Sequence, residues 1–462
     1  MKKILFAALL LLSLMVCLTS LGCSGDLDDA KAGITAANKG DHDKAIAYWT
    51  KVIEIDTKDA NAYCNRGRAW YDKGDYDKAI ADWTKTIDID PKNAAAYYNR
   101  GNAWTDKGDY DKAIVDYTKA IEIDPKYAFA YNNRGLAWGD KGDYDKAIAD
   151  LTKAIEIDSK YADAYYNRGN AWRKKGDYDK AIVDYTKAIE INPKHTFAYG
   201  NRGIAWRDKG DYSKAIADFT AAIEINPKDV VAYSNRGYAW GRKGDYDKAI
   251  TDLTKTIEID PKYADAYCNR GNSWSGKGDY DKAIVDYTKA IEINPKYVFA
   301  YYGRGLAWAD KGDFDKAIAD YTKAIEINPK YAATYCYRGI AWYGKGDYDK
   351  AIADFTKAVE IDPKYADAYN GLAWLMATCP EGRYRDGKHA VELAEKAVAL
   401  KNDVNYLDTL AAAYAEAGRF QEAIKTQERA ITKLKQEGGA KDLPEFEEHL
   451  SSYKAGKPWR EK

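Results

Sequence analysis

Residues 94–127 read AAAYYNRGNAWTDKGDYDKAIVDYTKAIEIDPKY, and displacing the window by 34 residues in either direction returns nearly the same string. The triplet Asn99-Arg100-Gly101 recurs as Asn65-Arg66-Gly67, Asn133-Arg134-Gly135, Asn167-Arg168-Gly169, Asn201-Arg202-Gly203, Asn235-Arg236-Gly237 and Asn269-Arg270-Gly271. A fixed period of this length marks an array of one small structural unit, so the fold is read from the unit rather than from the total length.

Within the unit, Tyr97, Gly101 and Trp104 lie three and four residues apart and share one helix face. Lys107-Gly108-Asp109 interrupts the pattern. Asp109 suits an N-cap and Asp111 the first turn of a second helix, where acids favour exposed amide groups. Ala113, Tyr117, Ala120 and Ile121 give that helix its apolar face, and Pro125 ends it because proline cannot continue the hydrogen-bond ladder. Small residues at Gly101, Ala113 and Ala120 allow close approach, and each hairpin leaves an apolar flank that only its neighbour can cover.

Tyr63, Arg66, Gly67, Trp70, Ala79, Trp83 and Pro91 stand at the framework places of the tetratricopeptide repeat, which the unit resembles. The family's Leu is replaced by Arg in nine units. The resemblance implies an all-α, right-handed superhelical solenoid of about twelve helix-turn-helix hairpins. Ten units are expected over residues 26–365. The first is degenerate, with Asp29 and Ala36 in place of aromatics, as suits a terminal repeat. Two divergent units follow over 366–437, with an enlarged loop at 379–387, and then a capping helix and a basic tail over 438–462.

Ahead of the array, Met1-Lys2-Lys3 and the apolar run from Ile4 to Leu18 form an export signal ending near residue 22. Ser20-Leu21-Gly22-Cys23 resembles a bacterial lipoprotein processing box, with Ser20 where Leu is commonest. That resemblance implies that residues 23–25 carry a lipid on Cys23. Ordinary cleavage and a retained anchor are the other readings, and all three export the chain. Ser24 gives no reason for retention at an inner membrane, so an outer-membrane lipoprotein facing the periplasm is expected.

Charged residues make up 31% of the chain yet sum to a net charge of −1, which argues against a nucleic-acid partner that would require a basic stripe. The arginine at the family's Leu position needs a partner, because a charge between packed helices is costly alone. An aspartate stands sixteen residues on in each of the nine units: Arg66 with Asp82, Arg100 with Asp116, Arg134 with Asp150, Arg168 with Asp184, and so on to Arg338 with Asp354. Units lacking the arginine lack the aspartate. The pattern predicts a ladder of ion pairs, within a unit or across to the next. The bland alternative is one ancestral unit copied with both residues solvated.

Function is sought where the framework varies. The resemblance implies a concave groove lined by the first helices at the second, fifth, sixth, ninth and twelfth residues of each unit. The candidate lining is Tyr98, Asn99, Asn102, Phe129, Asn132, Asn133, Tyr166, Asn167, Asn170, Phe197, Asn201, Asn235, Tyr238, Asn269, Asn272, Phe299 and Tyr302. Such a wall offers amides to a peptide backbone and aromatics to side chains. No Lys occupies the second or fifth position, which argues against a clamp for a terminal carboxylate. The reading is a non-catalytic adaptor of the bacterial cell envelope holding a protein or extended peptide. The alternative is a lipoprotein that meets cell-wall glycan.

Catalysis finds little support. The histidines at 42, 195, 389 and 449 lie in unrelated units, and no metal pair, cofactor loop or nucleophile elbow is visible. The acids of Asp-Lys-Gly-Asp-Tyr-Asp fall out of register with a calcium loop. Cys64, Cys268 and Cys336 recur at the fifth position of separated units, too distant to bridge, and are expected to be free, like Cys379.

Overall fold

A computed structural model describes Gly33 and residues 35–461 other than 440. The export segment, Cys23 and the start of the first repeat lie outside the described residues. Among those described, every regular element is helical. The chain forms two compact units that divide between Pro227 and Lys228.

The first unit contains α1 (His42–Ile55), α2 (Ala60–Asp72), α3 (Tyr76–Ile89), α4 (Ala94–Asp106), α5 (Tyr110–Ile123), α6 (Ala128–Asp140), α7 (Tyr144–Ile157), α8 (Ala162–Lys174), α9 (Tyr178–Ile191), α10 (Thr196–Asp208) and α11 (Tyr212–Ile225). The second contains α12 (Val230–Arg242), α13 (Tyr246–Ile259), α14 (Ala264–Gly276), α15 (Tyr280–Ile293), α16 (Val298–Asp310), α17 (Phe314–Ile327), α18 (Ala332–Gly344), α19 (Tyr348–Ile361), α20 (Ala366–Thr378), α21 (Gly387–Leu400), α22 (Val404–Glu416), α23 (Phe420–Gln436) and α24 (Leu443–Lys454). Even numbers up to α22 are the first helices of hairpins and odd numbers the second.

The α4–α5 hairpin shows why the unit folds this way. The amide of Asp109 bonds to the carbonyl of Trp104 at 2.9 Å and that of Gly108 to Thr105 at 2.9 Å, closing α4 in a Schellman turn. Gly108 holds φ +79°, a conformation that only glycine adopts cheaply. Asp109 then caps α5, its carboxylate accepting from the amide of Lys112 at 3.2 Å. A Cβ on Gly101 would stand 2.7 Å from the Tyr117 ring, so the missing side chain is what lets the two helices close. Ala113, Ile114 and Tyr117 pack together with Ala137 of α6, and the core is thus passed from hairpin to hairpin.

The arginines lie between these layers. In all nine regular hairpins the guanidinium grips the aspartate of its own hairpin with two bonds: Arg100 Nε donates to Asp116 Oδ2 at 2.8 Å and Nη2 to Oδ1 at 2.7 Å. The same pair of bonds joins Arg66 to Asp82, Arg134 to Asp150 and Arg168 to Asp184. The remaining pairs, from Arg202–Asp218 to Arg338–Asp354, repeat it. A third donor reaches back to the preceding hairpin, Nη1 of Arg100 to Thr84 Oγ1 at 3.0 Å, and Thr84 gives its own proton to the carbonyl of Ile80. Tyr97 lies under the guanidinium, 5.7 Å from ring centre to Cζ. Bidentate geometry, a neutral third acceptor and an aromatic face together offset the cost of removing both charges from water.

A second ladder runs outside. Lys107 pairs with Asp77 of the preceding hairpin, and Lys141 with Asp111, Lys175 with Asp145 and Lys209 with Asp179 do likewise. In the second unit Lys277 meets Asp247, Lys311 meets Asp281 and Lys345 meets Asp315. These exposed pairs are individually weak, with typical contributions of about 0–1 kcal/mol.

At the carboxy-terminal end the enlarged loop is a built element. Gly382–Tyr384 forms a single 3-10 turn. Tyr384 packs against Tyr348 at 5.3 Å and donates to Asp349 Oδ2 at 2.9 Å. Arg385 holds the loop, Nη1 donating to the carbonyl of Cys379 at 2.8 Å and Nε to Glu416 of α22 at 3.1 Å. The residues after α24, as far as Glu461, include the basic pair Lys457 and Arg460. They turn back over α22, α20 and α18.

Candidate functional site

In the first unit the first-helix face is a chain of hydrogen bonds between neighbouring hairpins. Asn133 of α6 donates to both Tyr98 Oη at 3.1 Å and Asn102 Oδ1 at 2.8 Å on α4. Asn201 of α10 repeats this on α8, reaching Tyr166 Oη at 3.1 Å and Asn170 Oδ1 at 2.7 Å. Between them Asn132 donates to Asn133, and Asn167 donates to Asn132 at 3.0 Å. The amides expected to await a peptide backbone are thus largely engaged with one another.

Two corrections to the expected lining follow. Asn132 is only 3% exposed, and Ser234, Cys268 and Cys336 at the same repeat position are also buried. The fifth residue points into the seam between successive first helices, so a small side chain vanishes there. Tyr98 and Tyr166 are long enough to span the seam and emerge, resting on Tyr127 at 5.0 Å and on His195 at 4.9 Å. Burial pushes the Tyr98 phenol above its ordinary pKa, partly countered by the bonds from Asn102 and Asn133.

The ninth position is the second correction. Asn102 accepts the hydroxyl of buried Tyr117 at 2.8 Å, Asn170 that of Tyr185 at 2.8 Å, and Asn272 that of Tyr287 at 2.7 Å. These three amides serve the core of their own hairpins. Their signal was present in the sequence: the ninth residue is Asn where the twenty-fourth is Tyr, and apolar Leu136, Ile204 and Ile340 occur in the units that carry Leu151, Phe219 and Phe355. Leu306 with Tyr321 breaks the rule, and the Tyr321 hydroxyl is left without a partner.

Aromatic side chains stand open on this face along with Val231, which is 51% exposed. Phe197 on α10 is 71% exposed, while Phe129 on α6 lies edge-on to Tyr161 at 5.1 Å. In the second unit Phe299 on α16 is 57% exposed between Tyr297 and Tyr331. Tyr302 sits among Tyr321, Tyr331 and Tyr337, the last two at 5.6 Å. Asn235 bends back to the carbonyl of Val231 at 2.9 Å. Asn99, Asn269 and Tyr238 are half-buried along the same helices.

Among the described residues no group of three His, Cys, Asp or Glu is placed to hold a metal ion. His449 Nδ1 lies 2.8 Å from Asp408 Oδ1, but Gln427 takes the third place by donating to the same oxygen, so the buried group has no nucleophile. None of the cysteines 64, 268, 336 and 379 is in a disulfide, and burial pushes Cys268 up to about 12. No described helix is long and apolar enough to cross a membrane.

Sequence profiles described as tetratricopeptide repeat match residues 94–127, 162–195, 197–229, 264–297, 298–331 and 332–365. Others described as TPR or tetratricopeptide repeat match 67–105, 140–172 and 241–273, then 116–149 and 30–59, and together they span more than half of the chain. Comparison with curated proteins returns no match. Among solved structures, the chain is similar to YrrB, a TPR protein with an unusual peptide-binding site: 29% identity over 40% of this chain and 95% of that one, TM-score 0.36. MamA shows 34% identity over 35% and 95% of the two chains, TM-score 0.34. The Cut9–Hcn1 hetero-tetramer of APC/C shows 16% identity over 93% and 96%, TM-score 0.49.

Proposed function

The chain belongs to the tetratricopeptide repeat family, whose members are generally protein-interaction scaffolds, and from that premise we propose a non-catalytic adaptor that holds an extended protein segment against its first-helix faces. The observation that carries this reading is the exposure of Phe197 and Phe299, the former on α10, where Asn201 is bonded laterally to Tyr166 and Asn170 of α8. Such a surface is rigid, offers apolar anchors and leaves its remaining acceptors at the rim, which suits side-chain recognition more than amide pairing. The same lateral bonding leaves few free amides for sugar hydroxyls, so the glycan reading has less to stand on. The amino-terminal signal and Cys23 support the further proposal that the adaptor is an exported lipoprotein of the bacterial cell envelope, facing the periplasm from the outer membrane.

A photo-crosslinking residue at Phe197 tests the binding face in intact cells, with Lys187 of α9 as control, since that side chain is paired with Glu190 on a second helix. A discrete protein adduct at 197 and none at 187 is expected. Equal labelling at both sites, or none at either, would defeat the adaptor reading. Membrane attachment that survives Cys23→Ala would defeat lipidation.

A further inference from the structure

The second unit already holds a peptide on its first-helix face, and that peptide is its own tail. After α24 the chain runs without regular structure from Lys457 to Glu461 and crosses the first helices in reverse order. Trp459 lies on the His449 ring of α24 at 4.5 Å. Arg460 pairs with Glu416 of α22, and its Nη1 donates to the carbonyl of Ala377 on α20 at 3.3 Å. The Glu461 carboxylate accepts from Trp374 Nε1 of α20 at 3.1 Å and from Tyr343 Oη of α18 at 2.9 Å. The backbone joins in, with the Glu461 amide donating to the carbonyl of Thr378 at 3.2 Å. An extended strand held by one aromatic, one guanidinium pair, one carboxylate and one main-chain bond is bound as a peptide ligand is bound.

We propose that Tyr343, Trp374, Thr378, Glu416 and His449 form a peptide subsite for an aromatic-basic-acidic segment, and that the chain's own Trp459-Arg460-Glu461 occupies it until a partner segment of that chemistry displaces it. The proposal rests on the reading of first-helix faces as binding surfaces and adds the ligand's pattern and a built-in competitor. Every protein group in the subsite has a complementary partner in the tail: two neutral donors for the acid, a carboxylate and a carbonyl for the base, and a ring for the ring. An incoming segment must therefore replace a tethered one at high effective concentration.

The test uses the full chain with Trp459→Ala and Glu461→Ala together, titrated with a fluorescent peptide of residues 455–462. The expected result is saturable binding at least about tenfold tighter than to the natural chain, a difference of about 1.4 kcal/mol. Exchanging Glu for Gln or Trp for Ala in the peptide should abolish that gain. Equal affinity for both chains would overturn occupancy by the tail. No binding to a double variant of unchanged helicity and melting would overturn the subsite. Should the variant melt early, hydrogen exchange on the natural chain decides: slowed exchange at the Glu461 amide supports the proposal, and free-peptide exchange there refutes it. Crosslinking at Phe197 reads the adaptor proposal separately, because Phe197 lies on α10 of the first unit and the subsite on α18, α20, α22 and α24 of the second.

Discussion

In the hairpins from Ala60 to Ile361 a half-buried arginine on each first helix meets an aspartate sixteen residues on, whereas in those from Ala366 to Gln436 the arginine's place holds Leu372 and Leu410, both buried. The regular hairpins repeat one polar contact and pass it along by translation. The divergent hairpins gather their polarity once, at buried Asp408, which Gln427 and His449 share. They close the end with Arg385, Glu416 and Arg460. A repeated contact needs partners only at a fixed spacing. A terminal contact must draw them from wherever the chain ends, and here they come from α24 and the tail.

The sharpest way to break the comparison is to strand one charge. Asp184→Ala leaves Arg168 facing Thr152 and the Tyr165 ring without its carboxylate. A guanidinium cannot shed its proton in a protein, so the cation is left in place without its carboxylate. The expected loss is about 3 kcal/mol, the lower end of the range for a broken buried pair because the arginine keeps some contact with water. Arg168→Leu with Asp184→Leu removes both charges together and should cost less than about 1 kcal/mol. Hydrogen exchange within α8 and α9 is the measurement, since a repeat array need not unfold in one step. A single variant no weaker than the double would mean that the ladder is solvated and adds nothing.

A smaller effect separates satisfied from unsatisfied hairpins within the regular set. Tyr117 gives its hydroxyl to Asn102 and contacts Thr105 at 3.0 Å, so Tyr117→Phe should cost about 1 kcal/mol. The Tyr321 hydroxyl is buried with no partner, and Tyr321→Phe should be neutral or stabilising. Leu306→Asn restores the missing acceptor and should raise the thermal midpoint. If both tyrosines respond alike, the pairing of the ninth and twenty-fourth residues carries no energy.

The hairpins were legible because local rules repeat. Gly108 demanded a left-handed turn, Asp109 a cap, and Gly101 a close approach to Tyr117. The arginine partners were legible for the same reason, a spacing seen nine times. The threonine that accepts the third guanidinium bond was missed, although it stands sixteen residues before the arginine in the same register. The binding face was read less well. Periodicity places Asn102 and Asn132 on the first helix but does not say that a buried phenol claims one and a seam the other. The tail was beyond periodicity altogether, since Glu461 meets Tyr343 across 118 residues with no repeat to announce it.

Acid offers the finest division between the two kinds of hairpin end. At Asp75, Asp109, Asp143 and Asp177 the lysine three residues on bonds the capping carboxylate with its side chain and backbone amide, holding it below the ordinary carboxylate range. Asp245, Asp279 and Asp313 in the second unit are held low in the same way. A carboxyl whose pKa is lower folded than unfolded contributes stability above the unfolded value, and loses it as pH falls through the folded one. Second helices of the regular hairpins should therefore fray at their first turns as pH drops below about 4. By contrast, α24 begins at Asp442 with no side-chain cap bond, so protonation removes none there. Exchange of the Lys112 amide, corrected for its intrinsic rate, should quicken over that window while the first turn of α24 holds steady. Asp109→Asn keeps an acceptor that does not titrate and should flatten the response at Lys112 alone; acid fraying that persists in this variant would place its origin elsewhere in the hairpin.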